Sequence, residues 1–313
     1  MTTHAPYPIG TPGQPWGSAE VAAWVSRQTV KRSYKVDVCK TVHSLRNRFD
    51  VVQYGRLDHD PERFPLFALR TRPWHDSLPT ALVTGGVHGY ETSGVHGALR
   101  FLDLHAPGYA GRYNLVVAPC VSPWAYEVIS RWNPHAVDPN RSFKEPSPAQ
   151  ESAELMRLVA PLRHRVLVHV DLHETTDSDE SEFRPALAAR DGVPYVPTDI
   201  PDGFYLVGDV EDPQVKFQQA VIAAVAKVTQ IAAADPCGNI IGSPVVGRGL
   251  IVYPLRKLGL CAGMTQARFR TTTEVYPDSR RATPEQCITA QAVSVCAALD
   301  FALLQNAGAD SGR

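Results

Sequence analysis

Hydrophobic residues fall into short runs separated by stretches with helical spacing. Positions 18–33 carry the helical interval (Val21, Trp24, Val25) behind Ser18, a suitable N-cap. Segments 49–55 and 64–70 predict strands joined by the polar turn Asp58-His59-Asp60-Pro61. An alternation follows. The apolar run 81–84, closed by Gly85-Gly86, precedes a helical pattern over 93–104. The run 114–118 stops at Pro119, and a helix is predicted over 148–162, with Glu151, Leu155 and Leu158 at helical intervals. A third run, 166–170, is rich in β-branched residues. A long Ala/Val-rich helix over 212–234, strands over 250–253 and 268–275, and a last helix over 284–305 behind Thr283 complete the pattern. Buried strands alternating with helices predict one α/β domain: a mixed, mostly parallel, twisted sheet with helices on both faces. No linker divides the chain. Its Pro/Gly-rich start, 1–16, is expected to be irregular and its end, 306–313, a disordered tail. The doubled Gly-Val-His-Gly at 86–89 and 94–97 is a local echo, not a repeat.

Composition narrows the functional classes. The 313 residues include 31 Lys+Arg against 32 Asp+Glu, so the net charge is −1 and no basic footprint for nucleic acid exists. With 44% apolar residues the chain is expected to bury a full core. No apolar run reaches the roughly 18–20 residues of a membrane span, so no membrane partner is expected. The start Met-Thr-Thr-His-Ala-Pro lacks a basic region followed by an apolar one, which predicts a soluble, cytoplasmic protein. The six cysteines show no Cys-x-x-Cys pair and are expected to be reduced and structural, Cys287 and Cys296 within the last helix.

In open α/β sheets, ligands gather beyond the carboxyl ends of the strands. Three polar clusters are predicted there: His88-Gly89-Tyr90-Glu91, Asp171-Leu172-His173-Glu174-Thr175-Thr176 and Thr271-Thr272-Thr273-Glu274. His-x-x-Glu with a distant strand-end His supplies two imidazoles and a carboxylate, a set that suits Zn²⁺ and leaves a coordination position open. The glycines at 85, 86 and 89 permit the tight turn such a pair needs. Position alone leaves metal binding and ordinary packing both open.

The segment Arg131-Trp132-Asn133-Pro134-His135-Ala136-Val137-Asp138-Pro139-Asn140-Arg141-Ser142-Phe143 breaks the tie. His-x-x-Glu, Asp-x-Asn-Arg, a strand-end His and a late strand-end Glu occur in one order over roughly residues 50–280. In this the chain resembles the zinc carboxypeptidase family (peptidase family M14) and its relatives, the succinylglutamate desuccinylases and aspartoacylases. The resemblance implies a zinc carboxypeptidase-like fold and one Zn²⁺ per chain, held by His88, Glu91 and His173. It implies Asp138 as the acidic partner of the first ligand histidine, and Asn140 and Arg141 as the grip on a substrate carboxylate. It further implies Arg131 as the group steadying the oxyanion, Glu274 as general base and Tyr253 as the mobile tyrosine that touches substrate. Glu174 is expected behind the ligands or at the rim rather than in catalysis, residues 177–182 as a solvated acidic loop, and His96 and His169 as packing residues.

Two departures stand out. The interval from Glu91 to His173 is shorter than in the digestive carboxypeptidases, and Asp-Leu-His-Glu-Thr-Thr is close to the aspartoacylase-type Asp-Leu-His-x-Thr-Thr. The activity that the resemblance implies is removal of a C-terminal residue from a peptide. The alternative is a deacylase acting on an N-acyl amino acid, and a third is a non-catalytic binding module on the same fold. Either substrate carries a free carboxylate; oligomeric state is left open.

Overall fold

The computed structural model describes residues 7–310, and for 307–310 the backbone alone. In chain order the strands are β1 (Phe49–Arg56), β2 (Pro65–Thr71), β3 (Thr80–Gly85), β4 (Asn114–Ala118), β5 (Val166–Glu174), β6 (Tyr205–Asp209), β7 (Asn239–Ile240), β8 (Ser243–Pro244), β9 (Leu250–Tyr253) and β10 (Phe269–Val275). The α-helices are α1 (Ser18–Ser26), α2 (Lys40–Ser44), α3 (Thr92–Arg100), α4 (Pro123–Val128), α5 (Gln150–Val159), α6 (Arg184–Asp191), α7 (Val215–Val225) and α8 (Pro284–Asp310).

Every residue of β3 and β4 is buried, so the centre of the sheet must be covered on both faces. Eight strands pair in the order β1-β2-β4-β3-β5-β10-β6-β9, while β7 and β8 form a separate hairpin. β4, β3, β5 and β10 run parallel, as does β6 with β9; β1–β2, β2–β4 and β10–β6 are antiparallel. The two faces can be read residue by residue. Ala81 and Val83 of β3 join Val168, Val170 and Leu172 of β5 in a core covered by Val95, Ala98 and Leu99 of α3 and Val295, Ala298 and Leu299 of α8. Leu82, between Ala81 and Val83, points the other way, toward Leu155 and Val159 of α5. The predicted single α/β domain with a two-sided, mostly parallel sheet holds.

Several boundaries differ from the sequence reading. α1 ends at Ser26, and its cap is Gly17, whose N–H is held by the Glu20 carboxylate at 2.8 Å, rather than Ser18. β5 continues through Glu174, so Asp171 and His173 lie on the strand and not beyond it. α7 is confined to 215–225, while β6, α4 and α6 have no counterpart among the predicted elements. Residues Asp179–Phe183 form a helical turn leading into α6, and Asp179 is buried, which corrects the expectation of a solvated loop. α8 runs through Asp310, so 306–310 are helical, while 311–313 and 1–6 lie outside the described residues. Residues 7–16 are irregular, as expected, with the Tyr7 and Trp16 rings 5.8 Å apart. The described cysteines are all free, but Cys237 is exposed and does not pack.

One helix among the described residues, Pro284–Asn306, is long and apolar enough to cross a membrane, with a mean hydropathy of 1.8. That corrects the expectation that no such run exists. Its Cys287, Ala290, Gln291, Val295, Ala298, Leu299 and Ala302 are sealed against the rest of the fold, so the apolar character is that of a core helix.

Candidate metal centre

Between β3 and α3 the chain turns within a few residues. Gly86 has φ +59°, and a Cβ on Gly89 would lie 2.0 Å from the Ala125 carbonyl carbon, so no side chain fits there. This turn brings His88 and Glu91, each 1% exposed, onto one side of the chain at the start of α3. Arg32 fastens the turn from outside. It donates to the Gly89 carbonyl, to Thr92 Oγ1 at 2.6 Å and to the Tyr126 carbonyl at 2.6 Å.

His173 arrives from β5, the parallel neighbour of β3. Its Nδ1 stands 3.2 Å from His88 Nδ1 and 2.7 Å from Glu91 Oε2, while His88 Nδ1 lies 2.7 Å from Glu91 Oε1. One ligand atom from each of the three residues lies within 4.8 Å of the others. Glu91 Oε2, though close to His173, is out of line for a hydrogen bond and is left buried without one. The far nitrogens of both rings meet carboxylates: Asp138 Oδ1 is 3.0 Å from His88 Nε2, and Asp171 Oδ2 is 2.7 Å from His173 Nε2. A carboxylate accepts, so each Nε2 carries a proton, and with a cation seated between the rings each Nδ1 would turn a lone pair to it. Two inward-directed ring nitrogens and a buried carboxylate oxygen without a hydrogen bond make a good set for a cation. The donors, two imidazoles and one carboxylate, fit Zn²⁺.

Electrostatics follow the same arrangement. Burial alone would raise the Glu91 carboxyl, but His173 and His88 bring it down to about 2. Burial likewise opposes ionisation of Asp138, yet Arg131 and then His88 hold it well below the usual carboxylate range. His173 is pushed well above the ordinary imidazole value, because Asp171 and Glu91 outweigh its burial.

Glu274 is the register partner of His173 on the adjacent parallel strand, so both side chains leave the same face of the sheet. Burial raises its carboxyl to about 8, partly offset by His173. Glu174 leaves the opposite face. It accepts from the backbone N–H groups of Thr92 at 3.1 Å and Ser93 at 2.6 Å, capping α3 directly after Glu91, so of the two expected places it takes the one behind the ligands and not the rim. Burial lifts its carboxyl to about 7. His169 is fully buried between Thr84 and Thr265, a packing residue as expected, and His96 reaches the Tyr126 hydroxyl at 3.3 Å.

The remaining sequence-predicted residues divide. Arg141 is exposed, with one Nη1 bond to the Asn140 carbonyl at 2.8 Å. Asn140 is buried: its Oδ1 accepts the Cys261 N–H at 2.7 Å and its Nδ2 lies 3.4 Å from His173 Nε2. Arg131 lies beyond Asp138, donating to Asp138 Oδ2 and the Tyr90 hydroxyl, each at 3.1 Å, above the Phe183 ring. Its Nη2 makes no hydrogen bond among the described residues. Tyr253 is half-buried, and its hydroxyl accepts from Ser243 at 3.3 Å.

Four contributors escaped the sequence reading. Asp171 could have been found, since period two on a strand places it on the face of His173. Asp179, Arg32 and Tyr205 had no such signal. The first sits in an acidic run and accepts from the Tyr90 hydroxyl at 2.8 Å; the others arrive by tertiary contact.

Residues 77–189 match the family model described as the succinylglutamate desuccinylase/aspartoacylase catalytic domain. The family resemblance read from the motifs holds. That segment contains His88, Glu91, Asp138, Asn140, Arg141 and His173, but not Glu274. The fold is similar to that of a candidate metallopeptidase from Shewanella amazonensis, with TM-score 0.64 and 19% identity, covering 88% of this chain and 98% of that one. It is also similar to a metallo-carboxypeptidase from Burkholderia cenocepacia (TM-score 0.55, 16% identity, 91% and 69% covered). A carboxypeptidase A from Helicoverpa armigera is a further neighbour, with TM-score 0.56, 13% identity, and 93% and 74% covered. No curated protein matches the chain.

Proposed function

We propose that this protein is a zinc-dependent metallocarboxypeptidase that hydrolyses the C-terminal peptide bond of a peptide. The observation that carries the reading is the convergence of His88, Glu91 and His173 with Glu274 beside them on the same sheet face. A bound Zn²⁺ supplies a water whose pKa falls to about 7 and a Lewis acid for the scissile carbonyl.

The chain's own groups supply the rest. Glu274 takes the proton of the attacking water on a carboxylate oxygen and passes it to the leaving amine. Arg131 shares the negative charge that grows on the carbonyl oxygen, through the Nη2 group that Asp138 and Tyr90 leave free. The exposed Arg141 guanidinium holds the substrate's terminal carboxylate in a bidentate pair, with Tyr253 closing over it. Asn140 acts through position: it ties the turn carrying Arg141 to the Cys261 backbone.

A second reading, hydrolysis of an N-acyl amino acid by the same groups, is favoured by the family model matched over 77–189. Turnover of blocked dipeptides compared with N-acetyl-aspartate and N-succinyl-glutamate by the zinc-loaded protein separates the two. The peptidase reading expects the dipeptides to be cleaved; activity confined to the acyl amino acids would replace it with the second.

A further inference from the structure

A buried pair of hydroxyls leads to Glu274. Tyr205, 2% exposed on β6, places its hydroxyl 2.7 Å from Thr175 Oγ1, and Thr175 Oγ1 lies 3.0 Å from Glu274 Oε2. Each hydroxyl has one proton to give. An ionised Glu274 can only accept, so Thr175 spends its proton there and must accept from Tyr205. Proton counting therefore fixes the direction of both bonds in the ionised form that a base requires.

The backbone holds the three side chains in register. Tyr205 and Glu274 are opposite one another in the antiparallel β6–β10 pair, and the Thr175 N–H donates to the Val275 carbonyl at 2.9 Å. Glu274 Oε1 makes no hydrogen bond among the described residues, so one carboxylate oxygen is tethered and the other is free to exchange a proton.

We propose that the Thr175 hydroxyl, oriented by Tyr205, is a positioning group for the Glu274 carboxylate. The proposal depends on reading Glu274 as the base. Thr175 pins Oε2, which leaves Oε1 as the single oxygen that works. Tyr205 acts only through Thr175. A carboxylate free to rotate spends less time in the productive orientation, and misplacement of a reacting group by about 1 Å can cost roughly a hundredfold in rate. Satisfying two buried hydroxyls would account for the pair structurally, but such a role predicts no selective effect on turnover.

The test uses the full-length, zinc-loaded protein and the variants Thr175→Val, Thr175→Ser and Tyr205→Phe. Thr175→Val is expected to lower kcat by about tenfold or more, with KM and zinc content unchanged. Thr175→Ser restores kcat, Tyr205→Phe gives a smaller loss of the same kind, and the Thr175→Val/Tyr205→Phe pair is no worse than Thr175→Val alone. Crystal structures provide a readout apart from activity: Glu274 leaves its single orientation in Thr175→Val and keeps it in Thr175→Ser. An unmoved Glu274 in Thr175→Val, an unchanged kcat, or a loss that Thr175→Ser fails to restore would overturn the proposal. Wild-type protein that retains zinc yet hydrolyses none of the amide panel refutes the proposed function instead, and the crystallographic comparison still decides whether Thr175 positions Glu274.

Discussion

The Nδ1 atoms of His88 and His173 face each other across 3.2 Å, and each ring is held from behind by a carboxylate, Asp138 on one and Asp171 on the other. The symmetry has a chemical consequence. Both rings are oriented with Nε2 donating outward and Nδ1 directed inward, so the orientation a metal ligand needs is set by the two carboxylates.

Removing one of these backing carboxylates separates ring orientation from ligand identity. Asp171→Asn is expected to weaken zinc affinity by about 10–100-fold while leaving kcat near normal at saturating zinc. His173→Ala, by contrast, abolishes stoichiometric zinc. Competition with a zinc chelator followed by elemental analysis distinguishes the two; full zinc retention in His173→Ala would refute the ligand assignment.

Glu274→Gln keeps the shape of the side chain and removes its basicity. Zinc content should be unchanged, and kcat should fall by roughly 10²–10⁴-fold, the usual worth of a general base. Steady-state kinetics check this, and a near-normal kcat would move the base elsewhere.

For Arg141 the expectation is a binding effect. Arg141→Lys retains the charge but loses the planar two-point grip, so KM should rise by about tenfold or more while kcat changes less. A substrate with its carboxylate amidated should show little difference between the two proteins. If the variant matches wild type on the free acid, Arg141 does not hold the carboxylate.

Glu151 allows a pH prediction away from the metal. It is 2% exposed, and burial lifts its carboxyl to about 7, only partly countered by hydrogen bonds such as that from Asn133. The folded state thus binds the proton more tightly than the unfolded one. Stability from this group is complete below the ordinary carboxyl value of 4.5, declines as pH rises through the window up to about 7, and is flat above it. The loss is on the order of 3 kcal/mol. Glu151→Gln should therefore unfold at a higher temperature than wild type at pH 8 and show no such advantage near pH 4. Calorimetry at the two pH values tests it; equal gains at both would discard the titration account.

The sequence resolved some parts of this structure sharply. β4 and β9 fall at their predicted bounds because each is a run of β-branched and aliphatic residues stopped by a turn signal. The apolar run predicts β5 only as far as Val170, because Asp171 and His173 interrupt it, although the alternation of faces continues unbroken to Glu174. Spacing offers His88, Glu91 and His173 as a candidate set, and only the resemblance carried by the 131–143 segment chooses metal binding over packing. Asp179 was hidden by its company: an acidic run looks solvated until one member is found inside, receiving a tyrosine hydroxyl. Arg32 and Tyr205 could not be read at all. Their partners lie far along the chain, and only the assembled sheet and its covering segments bring them together.

β5 serves two masters by parity. Its even-numbered residues from 168 to 172 seal the helical layer, and Asp171 and His173 between and beyond them lie on the face of the candidate metal centre. A deletion of one residue within it would exchange the two sets, driving an acid and an imidazole into oil while turning aliphatic side chains toward water. Selection on packing and selection on chemistry therefore act on one and the same reading frame, and neither can drift along this strand without dragging the other.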